Sequence, residues 1–217
     1  MFDVQLFSQT ILYFASCIAG AVSSVTIALT MGDFRGGCIL YGNWKKRDAT
    51  TVELDYGNRS NCNFILTTHG VFSLVLPFLV GCYFAYAVKR SSRDKDIAFN
   101  MWVMPFSFIA GLVTILVFIA SAIASVGFSS WCDGYVKLSP SGCSDVLNTH
   151  WLNLPIKHKT TYKQLQVLQI ASWTCLLVWI LQTGLCIMRV VRNRRRLSRE
   201  ADQESDRANI GRINPSA

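Results

Sequence analysis

Four stretches of this chain contain no Asp, Glu, Lys or Arg: Val4–Gly32 (29 residues), Ser60–Val88 (29), Ile97–Cys132 (36) and Gln164–Met188 (25). A helix that crosses a bilayer takes about 20 mostly apolar residues. Each stretch holds one such helix, and no other interval between charges does. The spans are placed near 6–30, 64–88, 102–127 and 165–188. An amphipathic soluble helix would turn a charged face to water, and none of these stretches has one. The predicted fold class is an all-α membrane protein: a four-helix transmembrane bundle (residues 1–188) with two small disulfide-tied luminal or extracellular loops. Residues 189–217 form a basic tail, expected to be cytosolic and to lack regular structure beyond Glu200. Composition agrees, with 51% apolar and 16% charged residues, against about 25% charged in soluble domains. The first span is read as retained. "MFDVQ" carries Asp3 and no Lys or Arg, and the apolar run is too long for a cleaved leader.

Orientation follows from the density of Lys and Arg between spans. Lys89, Arg90, Arg93 and Lys95 crowd one short segment. The tail holds Arg189, Arg192, Arg194, Arg195, Arg196, Arg199, Arg207 and Arg212. The two longer loops are more thinly charged. Both termini are therefore expected in the cytosol, with the longer loops facing the lumen or exterior. The cysteines point the same way. Cys38 and Cys62 fall in the first long loop, Cys132 and Cys143 in the second, and none in the short basic segment or the tail. Paired cysteines belong in an oxidising compartment. Four loop cysteines allow three pairings. One bridge per loop, Cys38–Cys62 and Cys132–Cys143, is the favoured pairing, and pairing across the loops stays open. A zinc site is disfavoured because Cys-x-x-Cys spacing is absent. His150 and His158 share the second loop without ligand spacing. Asn58-Arg59-Ser60 is an N-glycosylation sequon in the first loop.

Ionisable groups inside a membrane are costly and mark ion or proton paths. His69 is the one candidate read within the spans, expected as a helix–helix hydrogen-bonding residue. Ser16, Gly20 and Ser24 form a small-xxx-small series in the first span, and Ser121 and Ser125 recur in the third. Such faces let helices approach closely, and packing within one bundle is the expected use. Pro77 should disturb the second span, whereas Pro105 sits in the first turn of the third, where proline is tolerated. Trp102 and Tyr86 sit where an aromatic belt belongs.

The tail's arginines serve first as topology charge and attract anionic lipids by about 1 kcal/mol each. Two finer readings accompany this. Arg195-Arg196-Leu197-Ser198 has the basic-basic-x-Ser form that basophilic kinases favour, and phosphate on Ser198 would weaken lipid contact. Arg192-Asn193-Arg194 has the form of an arginine-based retention signal. Cys186, near the cytosolic boundary, is a palmitoylation candidate, with an ordinary buried cysteine as the alternative. No nucleotide loop, metalloprotease motif, nucleophile elbow or heptad repeat is present, so no cofactor is expected. Net charge +8 is explained by topology, without nucleic acid.

"GDFRGGC" (Gly32–Cys38), with Leu40-Tyr41 after it, resembles the segment that follows the first span in the transmembrane protein 179 family. "FIASAIASVGFSSWCD" (Phe118–Asp133) resembles that family's third-span exit, where an apolar helix ends in Val-Gly-Phe before Trp-Cys. The order of spans, sequon and loop cysteines extends the resemblance along nearly the whole chain; the tail departs from it. The resemblance implies a multi-pass membrane protein without an established biochemical activity, and supplies no catalytic residue. Tetraspanins and claudins fit less well, since neither a Cys-Cys-Gly motif nor a Trp…Gly-Leu-Trp-Cys-Cys pattern is present. Vesicle tetraspans of the MARVEL type share the architecture. The function expected is that of a non-enzymatic adaptor or accessory subunit. It would travel the secretory pathway to plasma membrane or vesicles and act through lateral membrane-protein partners. The alternative is a pore or transporter formed by oligomerisation. A lipid-modifying enzyme would require a polar cluster in the spans, and none is found; the absence argues against a catalytic membrane enzyme or a proton-coupled transporter.

Overall fold

The computed structural model of the protein describes residues 4–46, 52–91, 103–137, 143 and 160–213. Helix α1 (Val4–Asp33) leads into strands β1 (Cys38–Lys46) and β2 (Val52–Gly57). The second span joins α2 (Arg59–Thr67), a π-helical segment (Thr68–Val75) and α3 (Leu76–Ser91). Helices α4 (Val103–Val136) and α5 (Thr161–Ile213) follow. All four spans are long and apolar enough to cross a membrane. The protein is an all-α, four-span membrane bundle.

Neighbouring spans run antiparallel. Asp33, at the end of α1, meets Gln164 at the start of α5, and Gln5 donates to the Leu185 carbonyl at the opposite end. Gly20 lies against Ser73, and Gly81 against Tyr13. On α4, Thr114 pairs with Thr183, and Ser121 donates to the Ser172 carbonyl. We call the two ends of the bundle the hairpin end and the tail end.

Helix α1 is turned inside out relative to a soluble helix. Ile11, Phe14, Ile18, Val22, Val25 and Leu29 face outward, while Gln9, Tyr13, Ser16, Gly20 and Ser23 face the neighbouring helices. Lipid supplies no hydrophobic drive between helices, so close contact and polar bonds are left to hold them together. The small-xxx-small series works as expected. A methyl at Gly20 would lie 2.5 Å from the Ser73 carbonyl oxygen, so the series packs α1 against the second span within the bundle. The Pro77 disturbance takes a specific form. The eight residues Thr68–Val75, just before it, are π-helical. Proline cannot donate to the carbonyl four residues back, and its ring crowds that carbonyl. Here that group belongs to Ser73, and the Ser16 hydroxyl donates to it at 3.4 Å.

At the hairpin end, α1 stops in a left-handed turn, with Arg35 at φ 53° and Gly36 at φ 83°. The hairpin that follows is not signalled by the sequence reading. Its register pairs Trp44 with Leu54 and Asn43 with Asp55, with an irregularity between Cys38 and Asn43 where Tyr41 adopts φ 62°. It lies on α4. A methyl at Gly127 would meet Leu40 at 2.9 Å, and one at Gly134 would meet Trp44 at 2.8 Å, so two glycines seven apart let the strand seat on the helix. Helix α4 thus runs through Gly127 to Val136 instead of ending at Val-Gly-Phe. The cost of two helical glycines, about 1 kcal/mol each, is set against the burial of Trp131 and Tyr135 beside Trp44. At the other end, α5 continues to Ile213, where the sequence reading expects no regular structure beyond Glu200. Between Arg189 and Asn209 there is no Gly or Pro, and Arg196 bonds Glu200 one turn on, at 3.0 Å.

Candidate functional site

Among the described residues, a concentration of buried polar side chains lies in the seam between α1 and α5. On α5 the buried positions run Ser172, Cys175, Trp179, Gln182, Cys186 and Arg189, alternating steps of three and four along one face. On α1 the facing set is Gln9, Tyr13, Ser16 and Ser23. The second span adds His69 and Ser73, both fully buried.

Arg189 requires a correction. The sequence reading counts it as the first arginine of the tail and finds no Asp, Glu, Lys or Arg inside a span. The structure buries it to 2% exposure, with its guanidinium donating to the Gln9 side-chain oxygen at 3.1 Å. Gln9 in turn donates to Cys186 Sγ at 3.5 Å. Helix geometry is the reason: Arg189 lies seven residues after Gln182 and takes the same inward face. The signal was present in the three-and-four spacing from Ser172 onward, but the charge-gap criterion ends the span one residue too early to register it. The sequence reading finds no polar cluster in the spans; the structure joins Gln9, Cys186 and Arg189 by hydrogen bonds at the tail end of the bundle. Among the described residues, no group of three His, Cys, Asp or Glu is placed to hold a metal.

His69 behaves as expected, its Nε2 lying 3.2 Å from Ser172 Oγ across the interface. Thr114 with Thr183, Ser121 with Ser172, and Gln169 and Trp173 with Ser125 tie α4 to α5. Interhelical bonds of this kind contribute about 0.6 kcal/mol each.

The loop cysteines pair one bridge per loop, Cys38 with Cys62 and Cys132 with Cys143. Trp44 packs on Trp131 and Tyr135, its indole N–H donating to the Trp131 carbonyl at 2.9 Å. Asn58 is exposed and caps α2, its side-chain oxygen accepting from the Ser60 amide at 2.9 Å. Asp33, at the outer end of the first span, accepts from Gln164, where the second long loop meets the fourth span, at 3.4 Å. Ser198 is exposed on α5. Cys186 is 1% exposed beside Gln9, so its thiol faces the bundle interior, away from the lipid face where acylation would reach it. His150 and His158, the segment 92–100 and Trp102 lie outside the described residues.

A model of the family described as the transmembrane protein 179/179B claudin domain matches residues 5–210. The chain belongs to this family. Three relatives carry the name transmembrane protein 179B. The one from Danio rerio is 22% identical over 183 residues, covering 81% of this chain and 80% of that one. The Mus musculus protein is 23% identical over 174 residues, covering 80% and 77%. The Homo sapiens protein is 23% identical over 169 residues, covering 77% and 75%. No solved structure matches. Two expectations change. The missing Trp…Gly-Leu-Trp-Cys-Cys pattern argues against claudins, yet the family that matches along 5–210 carries the claudin description. The match also runs well into the tail, which the sequence reading sets outside the resemblance.

Proposed function

We propose that this multi-pass membrane protein of the transmembrane protein 179/179B family works without catalysis, as an adaptor or accessory subunit bound laterally to other membrane proteins. The observation that carries this reading is how its polar groups are used. The buried ones on the spans join helix to helix at Thr114–Thr183, Ser121–Ser172, His69–Ser172 and Gln9–Arg189, while the outer face presents Phe14, Ile18, Phe78, Leu79, Phe108, Ile115 and Leu177. A protein built this way offers an apolar lateral surface on a cross-linked frame. In this reading both termini are cytosolic and the hairpin end is luminal or extracellular. Arg192, Arg194, Arg195, Arg196 and Arg199 then lie at the anionic leaflet, Ser198 is a phosphorylation site among them, and Asn58 is a glycosylation site. The route is the secretory pathway to plasma membrane or vesicles.

The test uses the full chain. Copurification from native membranes should return the same membrane protein in fixed stoichiometry, and purified protein in liposomes should pass no ions. A reproducible, selective conductance would overturn the adaptor reading in favour of an oligomeric pore. Glycosidase treatment should shift the wild-type band and leave an Asn58→Gln variant unmoved.

A further inference from the structure

Not all polar chemistry on the spans is turned inward. On the outer side of the contact between α4 and α5, Ser125 Oγ accepts two bonds, from the Trp173 indole N–H at 2.9 Å and from the Gln169 amide at 3.3 Å. The Gln169 side-chain oxygen takes no donor among the described residues, and the Ser125 hydroxyl hydrogen goes to no acceptor among them. Both residues are half-buried, and Trp173 is exposed. Ser125 stands two residues before Gly127 and Gln169 four after Leu165, so the cluster lies about 3–6 Å inside the span ends. Deeper in the membrane the groove is aromatic. Phe118, seven residues before Ser125, meets Trp173 edge to face at 6.5 Å and is exposed. Deeper still it is open. Gly111 lies seven residues before Phe118 and Gly184 eleven after Trp173, so each keeps the same face of its helix. A methyl at either glycine meets nothing within 4 Å. From Ser125 to Gly111 the groove runs about 21 Å along the helix.

In a bilayer this face is covered by lipid, and its chemistry selects which. An unused acceptor beside an unused hydroxyl is costly at the edge of the hydrocarbon. One hydroxyl group, which donates and accepts at once, satisfies both. Neither 97–132 nor 164–188 contains Asp, Glu, Lys or Arg, so a charged headgroup finds no counter-charge at this level. A flat, rigid ring system lies on Trp173 and Phe118 with little loss of freedom, whereas a flexible acyl chain must be ordered to do so. We propose that the outer groove between α4 and α5 binds a sterol. Its hydroxyl donates to the Gln169 oxygen and accepts from Ser125, its rings lie on Trp173 and Phe118, and its tail reaches the slot at Gly111 and Gly184. The site requires only that the spans lie in a bilayer, and is independent of the adaptor reading.

The test uses the full chain in nanodiscs with a photoactivatable sterol whose reactive group is in the ring system. Peptide mapping should place the label on segments 118–125 and 169–173. Excess cholesterol should compete it away, and the epimer with the hydroxyl inverted should compete several-fold less well. Label spread evenly over the outer faces of all four spans overturns the proposal, as does competition by a diacylglycerol, which has the hydroxyl but flexible chains, equal to that by cholesterol. Gln169→Leu removes the acceptor and should lower labelling several-fold. Gly184→Leu fills the slot without touching the polar cluster, and should lower labelling several-fold while the sterol-free melting temperature is unchanged or higher. Undiminished labelling in either variant overturns the proposal. Should Gln169→Leu fail to fold, Gly184→Leu decides the matter alone, since its side chain enters open space.

Discussion

Replacing Gly20 with alanine adds one methyl at the tightest crossing of the bundle. The new carbon would stand 2.5 Å from the Ser73 oxygen, 2.6 Å from its carbonyl carbon and 2.9 Å from its Cβ. Carbon pairs rest at about 3.5–4.0 Å, so α1 and the π-helical segment must part by roughly 1 Å. Two of the three obstacles are backbone atoms, which cannot rotate away. Overpacking of this kind costs about 1–3 kcal/mol. The Ser16 bond to the same carbonyl, already 3.4 Å long, is lost as well, at about 0.6 kcal/mol. Alanine's better helix propensity returns about 1 kcal/mol. The net loss is about 0.6–2.6 kcal/mol, which for a chain of this size lowers the melting temperature by roughly 1–10 °C at about 2–4 °C per kcal/mol. Gly111 and Gly184 serve as internal controls, since a methyl at either meets nothing within 4 Å. Gly111→Ala and Gly184→Ala should leave stability unchanged or raise it by up to about 1 kcal/mol. Thermal unfolding in nanodiscs, followed by tryptophan fluorescence, orders the three variants. If Gly20→Ala melted at or above Gly111→Ala, the close crossing of α1 and the second span would be refuted.

Three further outcomes are expected. Removing the Cys38–Cys62 bridge with paired Cys→Ser changes should cost more than removing Cys132–Cys143. Their separations are 24 and 11 residues, and the chain-entropy relation gives about 3.5 against about 2.8 kcal/mol; denaturation midpoints of the two double variants check the order. Arg189→Met breaks the buried bond to Gln9 and should destabilise by about 2 kcal/mol, whereas Arg192→Met, on an exposed position, should stay within about 0.5 kcal/mol; equal effects in a melting assay would return Arg189 to the solvated tail. Trp44→Phe keeps a ring against Trp131 and Tyr135 but loses the N–H bond to the Trp131 carbonyl. The expected cost is about 1–2 kcal/mol, read as a lower midpoint with an unchanged helical circular dichroism signal.

The spans were legible because lipid excludes charge: four long intervals without Asp, Glu, Lys or Arg admit one reading. The bridges were legible because only four cysteines fall outside the spans. The hairpin was not, since "CILYGNWKK" and "VELDYG" are joined by no Asn-Gly or Asp-Gly turn and their pairing is fixed by contact with α4. Gly127 and Gly134 read as helix-ending signals, and become seats for Leu40 and Trp44 only once the strand lies across them. Arg189 shows where the strongest sequence rule reaches its limit. Counting charges treats every arginine after the last apolar residue as outside, but a helix does not end where its apolar run ends. One residue past Met188 is 1.5 Å along the axis, and a long side chain can turn back into the bundle by several times that. Which way it turns depends on whether a partner waits inside. Gln9 does, on a helix 180 residues earlier in the chain, so the fact that decides the fate of Arg189 is a tertiary one. The polar seam as a whole became visible in the same way. Gln9, Gln182 and His69 are unremarkable uncharged residues in separate spans, and only their convergence between α1, α5 and the π-helical segment makes them a connected interior.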